Sequence, residues 1–360
     1  MSNKRLLALA FSICMATTTG FASNTPSISL DFEKAVELAI ANSQKLSLRN
    51  EMMNSISEKN ELQKKDYSQN NPDYIYDGIT KTEQYTNTYK TYDYEKILKN
   101  ITKQKKSELI QNEKKTFGYF KNIYDFQKQL DDKKLAVKNR ENIVTQSQVK
   151  LKNKLITPLT LANEKNKLDL LNLQLQDIQQ KLSAEKSAFK THLGLDEKTD
   201  ITLVLTEPDL SELLNPNDAL AQAMLKNSEF IDLKDDMDEL ISDMKWIDSV
   251  SKKEHVDQQQ ELIDKKQEDI DEKKRITLYS NNQTVNRIFL IAQSLKKDKI
   301  ENRSLQLEKQ KNTMLKNTGV STQNTVNDID YAISQNLLAQ NEKILQIRQL
   351  MLDYYTNIRL

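Results

Sequence analysis

The strongest constraint on the fold is a shortage of residues that break helices. The chain has 360 residues but only five glycines and five prolines, where average usage gives roughly 25 and 18. β-Sandwiches, β-propellers and nucleotide-binding folds with glycine-rich loops need many turns with special φ angles, so this composition excludes them. It predicts an all-α chain built from a few very long helices.

Charge and residue chemistry exclude several classes of function. The 53 basic side chains balance 52 acidic ones, whereas a nucleic-acid partner requires a basic face, so no nucleic acid is expected. The two histidines, His192 and His255, lie far apart and neither adjoins a ligand cluster. We therefore predict no catalytic residue, no cofactor and no metal site. His192 stands near the end of a predicted helix and is interpreted as a partner of the helix dipole.

The first 22 residues have the pattern of a secretory signal peptide. Lys4 and Arg5 precede an apolar run, small residues follow, and cleavage is expected after Ala22. The only cysteine, Cys14, lies in this segment, so the mature chain is expected to have neither disulfide nor thiolate metal site. No later apolar run reaches the roughly 18 residues of a transmembrane helix. The product is expected to be exported to the cell envelope.

The mature sequence contains two tandem copies of one pattern. The letters LDFEKAVELAIANSQKL at 30–46 match LNPNDALAQAMLKNSEF at 214–230, and LKN at 151–153 matches LKN at 315–317, an offset of 164. Self-similarity of this kind sets the domain organisation. We expect a signal peptide, a first helical repeat, a linker and a second helical repeat, at 1–22, 23–195, 196–213 and 214–360.

Apolar residues recur every seven positions in both copies. The series are Ile123, Leu130, Val137, Val144 and Leu151; Leu161, Leu168, Leu175, Leu182 and Phe189; Ile300, Leu307 and Met314; and Leu337, Ile344, Met351 and Ile358. Sustained heptads predict antiparallel coiled-coil packing of long helices. Extra apolar positions at Leu170, Leu173, Ile347 and Leu350 favour helices with several neighbours, as in an oligomeric barrel, with a closed monomeric bundle as the alternative.

The few glycines and prolines mark the expected helix boundaries. Thr157-Pro158 and Asn215-Pro216 are predicted helix starts, Gly194 a helix end and Gly319 a hairpin turn. Gly118 has no such role, because it lies inside a predicted helix.

Two interruptions are also expected. In the first copy, Pro72 to Tyr92 interrupts the helical pattern, so that a long helix begins at Asp93, and the tyrosine-rich span 67–94 is either an interfacial belt, a docking surface or a polar capping loop. In the second copy the turn is expected near Ser249 to His255, with a competing break at Asn281-Asn282.

Acidic pairs in the second copy allow two interpretations. Asp235-Asp236 and Asp238-Glu239 could bind cations at a pore. We favour the simpler interpretation, in which they pair with lysines four residues away on a solvated helix face.

Four segments of the chain, taken in their order along the sequence, resemble the TolC-like outer-membrane efflux family. The resemblance lies in the opening at 30–46, its copy at 214–230, NKLITPLTLANE at 153–164 with a heptad helix ending in HLGL, and NTGVST at 317–322. It covers essentially the whole mature chain.

The resemblance implies a homotrimer that forms a hollow α-barrel. It also implies that a periplasmic (membrane-fusion) adaptor protein and an inner-membrane pump dock on the helical hairpin tips. By this resemblance the tip residues are Asn153, Leu155, Thr157, Pro158, Asn317, Gly319, Val320 and Ser321. Leu155 departs from the family pattern, because the offset of 164 aligns it with Gly319.

Family members also insert a β-hairpin from each repeat into the membrane. A membrane strand needs ~9–11 residues of alternating polarity, but the interruption in the first copy is mostly polar and the second copy has no room for a hairpin. We therefore expect little or no β-barrel, with membrane association through partners.

The function expected from the resemblance is that of a channel or exit-duct subunit of a multicomponent efflux or type I secretion system. It would lie in the outer membrane or periplasm of a diderm cell, or on the extracytoplasmic surface of a monoderm cell. The alternative is an exported coiled-coil structural or adhesion protein without a pore. A metal- or histidine-dependent enzyme is a distant third hypothesis.

Overall fold

The structure is a computed structural model that describes residues 27–69, 81–213, 215–250 and 253–359. The predicted signal peptide at 1–22 lies outside these residues. The side chains of the tyrosines between 67 and 92 also lie outside the described residues, so the interfacial belt and the docking surface are not tested. The polar capping loop is wrong for residues 81–94, because these are helical.

Long helices make up most of the described chain. In sequence order the elements are β1 Ser27–Leu30, α1 Phe32–Ala41, α2 Gln44–Gln69, α3 Lys81–Lys152, α4 Pro158–Leu193, β2 Asp200–Leu203, a short 3-10 helix Leu210–Glu212, α5 Pro216–Lys226, α6 Ser228–Val250, α7 Lys253–Asn317 and α8 Gln323–Arg359. The all-α prediction is confirmed. No helix within these ranges combines the length and the apolarity needed to cross a bilayer.

The longest helices exceed the predicted lengths. α3 has 72 residues and begins at Lys81 instead of Asp93, because the polar residues 81–92 contain no glycine or proline that would prevent a helix. α7 has 65 residues and continues through Asn281-Asn282, so the competing break there is wrong. α6 ends at Val250 and α7 begins at Lys253, so the helix boundary falls within the segment predicted first.

The predicted helix boundaries are confirmed by their capping geometry. The side chains of Thr157 and Asn215 accept hydrogen bonds from backbone N–H groups in the first turns of α4 and α5, and a proline follows each of them. Gly194 ends α4 with φ 69°, and Gly319 has φ 77° in the turn after α7. Both angles lie in the left-handed region that glycine adopts without strain.

Four of the long helices form a layer. α3 packs against α4 on one side and α8 on the other, and α7 packs along the far side of α8, which gives the order α4-α3-α8-α7. α2 lies against α3 and α6 lies against α7. The layer therefore has two edges, formed by α4 and α7.

The heptad series are buried in part. The side chains of Ile123, Leu130, Val137 and Val144 in α3 are buried, and so are those of Leu182 and Phe189 in α4 and of Ile344, Met351 and Ile358 in α8. The series in α7 differs, because Ile300, Leu307 and Met314 are all exposed. It faces away from α8 and has no partner within the described part of the chain.

A small strand pair joins the N-terminal segment to the linker. β1 and β2 are parallel, with Ser27 opposite Asp200 and Leu30 opposite Leu203, so the predicted linker contains a strand. Leu30 and Ile201 are buried in one cluster with aromatic side chains of α1 and α3. Burial of this cluster fixes the N-terminal strand and the linker on the helical layer.

Candidate functional site: the hairpin tips

The first tip is a tight turn between α3 and α4. The N–H of Lys154 donates to the carbonyl of Leu151 at 2.9 Å, and the N–H of Leu155 donates to that of Lys150 at 2.8 Å. Lys154 adopts φ 58°. These two hydrogen bonds around one left-handed residue form a Schellman motif, which satisfies carbonyls at the end of a helix. Thr157 then caps α4 by accepting from the N–H of Thr160 at 3.2 Å.

The second tip, between α7 and α8, repeats this geometry. The N–H of Gly319 donates to the carbonyl of Lys316 at 3.0 Å, and that of Val320 donates to the carbonyl of Leu315 at 2.8 Å. Thr322 caps α8 by accepting from the N–H of Thr325 at 3.2 Å. Two different sequences therefore build the same turn.

The shared geometry corrects the predicted alignment of the tips. Lys154 and Gly319 are the left-handed residues, so the structural offset at the tips is 165 and not 164. Leu155 therefore corresponds to Val320, not to Gly319. The predicted departure at Leu155 was wrong, because the glycine position is occupied by Lys154 and the next residue is apolar at both tips.

Both apolar residues point into solvent. Leu155 is 70% exposed and Val320 is 74% exposed. A large apolar side chain held outward on a well-formed turn buries no surface within its own chain, so its solvation costs free energy until a partner covers it.

The other predicted tip residues have structural roles. Asn153 continues the α3 hydrogen-bond pattern by donating its N–H to the carbonyl of Val149 at 3.1 Å, and Pro158 is the first residue of α4. Asn317 is the last residue of α7. The hydroxyl of Ser321 donates to the side-chain oxygen of Asn312 at 3.1 Å, which ties the turn back to α7. The eight predicted residues thus form two groups of four, one at each tip.

His192 does not act as predicted. Its Nε2 lies 3.0 Å from the hydroxyl of Thr116 in α3, and its ring lies 5.4 Å from that of Tyr119. Burial lowers the pKa of His192, and the charge of Lys115 lowers it further. The interpretation as a dipole partner is wrong, because such a role favours the protonated ring whereas this environment favours the neutral one.

The surroundings of His192 do not form a reactive site. The ring borders an open cavity of about 440 Å³ that Asn42 and Glu108 also line. Glu108 is 3.8 Å from the ammonium of Lys45, and the amide of Asn42 donates to the carbonyls of Thr191 and His192 at 3.2 and 3.3 Å. The hydrogen bonds of Asn42 hold the end of α1 against the end of α4, and the ion pair of Lys45 and Glu108 joins α2 to α3. The polar groups beside His192 are therefore used in contacts between helices: an asparagine binds helix carbonyls, and a carboxylate binds a lysine.

The second copy contains an equivalent asparagine. The side-chain amide of Asn227, which follows α5, donates to the carbonyl of Asn357 near the end of α8 at 3.0 Å. Asn42 and Asn227 occupy matching positions in the two copies. In the sequence, this shared contact between an asparagine and the end of a long helix is indicated by the repeated Asn-Ser pair.

The acidic pair Asp235-Asp236 of α6 binds lysines of other helices. Lys99 of α3 contacts Asp235 and lies 3.2 Å from Asp232, and Lys266 of α7 lies 3.1 Å from Asp236. The predicted spacing of four residues within one helix is therefore wrong for this pair, and Asp238-Glu239 forms no ion pair among the described residues. Over the described residues, no three side chains of the metal-binding types converge.

Sequence reasoning missed the most buried charge among the described residues. Arg348 of α8 is 5% exposed and binds the carboxylate of Glu33 at 2.6 Å, with a second nitrogen 2.7 Å from the hydroxyl of Thr206. Its guanidinium also stacks 5.2 Å from the ring centre of Phe32. It joins α1, the linker and α8. The partners lie 315 and 142 residues away, so no local pattern could reveal them.

Comparison with known proteins rests on the fold. The sequence matches no protein-family model and no curated protein. Among solved structures, CusC, studied for the conformational changes that accompany folding and transmembrane channel formation, has a TM-score of 0.53 and 10% identity, covering 91% of each chain. The outer-membrane channel OprN has a TM-score of 0.50 and 7% identity over 91% of this chain and 89% of its own.

A third neighbour agrees with these two. The outer membrane protein VceC of Vibrio cholerae has a TM-score of 0.50 and 11% identity over 91% of this chain and 96% of its own. CusC and OprN are thus described as channels, and VceC as an outer membrane protein. The chain therefore has the fold of the TolC-like outer-membrane efflux channels, as the resemblance of its sequence predicted.

Proposed function

We propose that this chain is the channel subunit of an efflux or secretion system of the cell envelope. It assembles as a homotrimer, and substrates pass through the helical barrel without chemical change. An adaptor protein and an inner-membrane pump dock on the two hairpin tips. The fold of the structural neighbours supports the channel role.

One observation carries the assembly step: both edges of the helical layer present uncovered apolar side chains. On α7, Ile300, Leu307 and Met314 are 73%, 61% and 70% exposed at intervals of seven residues. A heptad series of this kind is a coiled-coil seam that lacks its partner helix.

The opposite edge offers the complementary surface. On α4, Leu159, Leu170 and Leu173 are also exposed. Because the two apolar edges differ and lie on opposite sides of the layer, copies associate head to tail, and a head-to-tail contact either closes into a ring or grows into a filament. Three copies of a four-helix layer give a twelve-helix wall around a central space.

The assembly is tested by the mass of the mature chain in light scattering. We expect a trimer for the natural sequence and a monomer for the triple variant Ile300→Ser, Leu307→Ser, Met314→Ser. Burying each of these side chains is worth about 1.5–3 kcal/mol, so three of them per contact decide the association.

A matched control separates position from lost hydrophobicity. Leu48, Leu225 and Leu262 are exposed as well but lie away from this seam, and their triple serine variant is expected to remain trimeric. Electron micrographs of the trimer are expected to show rings with a central hole. A natural chain that is monomeric, or a filament without a pore, would refute the conduit and favour the coiled-coil structural protein.

A further inference from the structure

The two tips share a charge pattern that the fold does not require. Residues 142–163 contain three lysines and no acidic residue, and residues 309–327 contain three lysines and no acidic residue. The whole chain, in contrast, is almost neutral, with 53 basic and 52 acidic side chains. Positive charge is therefore concentrated at one end of the helical layer.

Five of the six lysines lack an ionic partner. Lys309 is neutralised by Asp330 at 2.6 Å, whereas the described residues provide no carboxylate within ion-pair distance of the others. These are exposed lysines around the two turns: Lys150, Lys152, Lys154, Lys311 and Lys316. The ammonium of Lys316 donates to the neutral amide oxygen of Gln323.

The shafts of the same helices differ from the tips in local charge. There, basic and acidic side chains are mixed, and some lysines pair between helices: Lys128 of α3 pairs with Glu342, and Lys343 pairs with Asp298. A tip that carries lysines and no nearby carboxylate is instead complementary to an acidic surface of another molecule.

The unpaired lysines surround exposed apolar side chains. Leu155 and Val320 stand exposed at equivalent positions of the two turns. An apolar centre with a charged, solvated rim is the usual anatomy of a protein–protein interface. Complementary charge on such a rim speeds association and excludes wrong partners.

We propose that the tips dock on an acidic protein surface with apolar sockets that receive Leu155 and Val320. The proposal rests on the proposed function and specifies the chemistry of the docking partner. A protein fits better than a lipid surface, because each turn holds a single apolar side chain at a fixed position. Membrane-surface helices instead present a continuous apolar face that enters the headgroup region.

The experiment places a photoreactive benzophenone amino acid at Leu155 or at Val320 of the full chain in its native cells. Cross-linked proteins are identified by mass spectrometry, and the attached segment is located. The identified partner is then purified and titrated against the natural chain and against a tip variant with all five lysines changed to glutamine.

A control variant carries the same loss of charge elsewhere. Lys114, Lys138, Lys265, Lys296 and Lys297 are exposed shaft lysines for which no ion pair is found within the described ranges; they are changed to glutamine together. The tip variant is expected to bind at least about tenfold more weakly, because even weak exposed ion pairs add up to one decade of affinity over five lysines. The control variant is expected to bind as the natural chain does, and high salt is expected to weaken only the binding of chains with intact tips.

Each alternative outcome has a distinct meaning. Attachment to a neutral or basic segment, or equal binding by the tip variant, would overturn the acidic surface and leave docking at the tips intact. Absence of protein cross-links, together with lysine-dependent sedimentation of the mature chain with vesicles of phosphatidylcholine and phosphatidylserine at 3:1, would overturn the proposal in favour of a membrane surface. Absence of both would overturn docking at the tips altogether, and with it that part of the proposed function.

Discussion

Replacement of Gly194 by alanine tests how the end of α4 is held. Gly194 has φ 69°, and a Cβ atom built there would lie 2.5 Å from the side-chain oxygen of Asn42. The left-handed conformation costs a non-glycine residue roughly 1–2 kcal/mol. The amide of Asn42 would also have to move, which weakens its hydrogen bonds to the carbonyls of Thr191 and His192, each worth about 0.5–1.5 kcal/mol. Gly194→Ala should therefore lower the free energy of unfolding by about 2–4 kcal/mol.

The matched control is Gly118→Ala. Gly118 lies inside α3, and a Cβ atom there would meet nothing within 4 Å, so alanine should raise stability by about 1 kcal/mol through its better helix propensity. Both variants are compared with the natural chain by urea unfolding followed by circular dichroism at one protein concentration. An unchanged midpoint for Gly194→Ala, or a loss as large for Gly118→Ala, would refute the assignment of Gly194 as a required left-handed cap against Asn42.

Three further outcomes follow from contacts described above. Arg348→Ala should cost about 3 kcal/mol, because the buried guanidinium holds three elements, whereas Arg359→Ala, which breaks a half-exposed ion pair, should cost at most about 1 kcal/mol; equal losses in urea unfolding would contradict this. His192 has a pKa below its ordinary value of 6.5, so the folded chain binds fewer protons than the unfolded chain, and its contribution to stability is complete above that value and is lost as the pH falls below it. The Tm of the natural chain should accordingly drop more between pH 7 and pH 5 than that of His192→Gln. Equal drops in Tm for the two chains would contradict a neutral His192 ring in the folded state. Thr157→Ala and Thr322→Ala should each cost about 1 kcal/mol by removing equivalent caps, and an effect at only one tip would show that the two turns are not equivalent.

The helices could be predicted from the sequence because their signals are local. A heptad spacing such as Ile123 to Val144 depends only on the period of a coiled coil, and these residues are buried as expected. Caps such as Thr157 before Pro158 are local for the same reason. The start of α3 was misplaced, because the polar residues before Asp93 give no apolar period although nothing in them prevents a helix.

Contacts between distant segments could not be predicted in this way. Arg348 meets Glu33 only after both copies have folded against the linker. The alignment of the two tips was wrong for a different reason. Lys154 adopts a left-handed conformation in which glycine is the usual residue. Aligning the two copies by identical residues therefore shifted the first tip by one position relative to the second. The resemblance identified the tips correctly as turns, but only backbone geometry paired Leu155 with Val320.

The clamps and aromatic contacts near the end of α4 also have a mechanical consequence. From Phe189, which is fully buried, to Pro158 the helix runs without interruption for about 47 Å at 1.5 Å per residue. Because α3 packs along α4 over this length, the two helices turn together as one stiff pair, and a rotation of about 5° at Phe189 carries the tip through about 4 Å. In the proposed trimer, the spacing of the tips would therefore depend on side chains far from them, such as Phe189 and Asn42, which fix the angle of this helix pair.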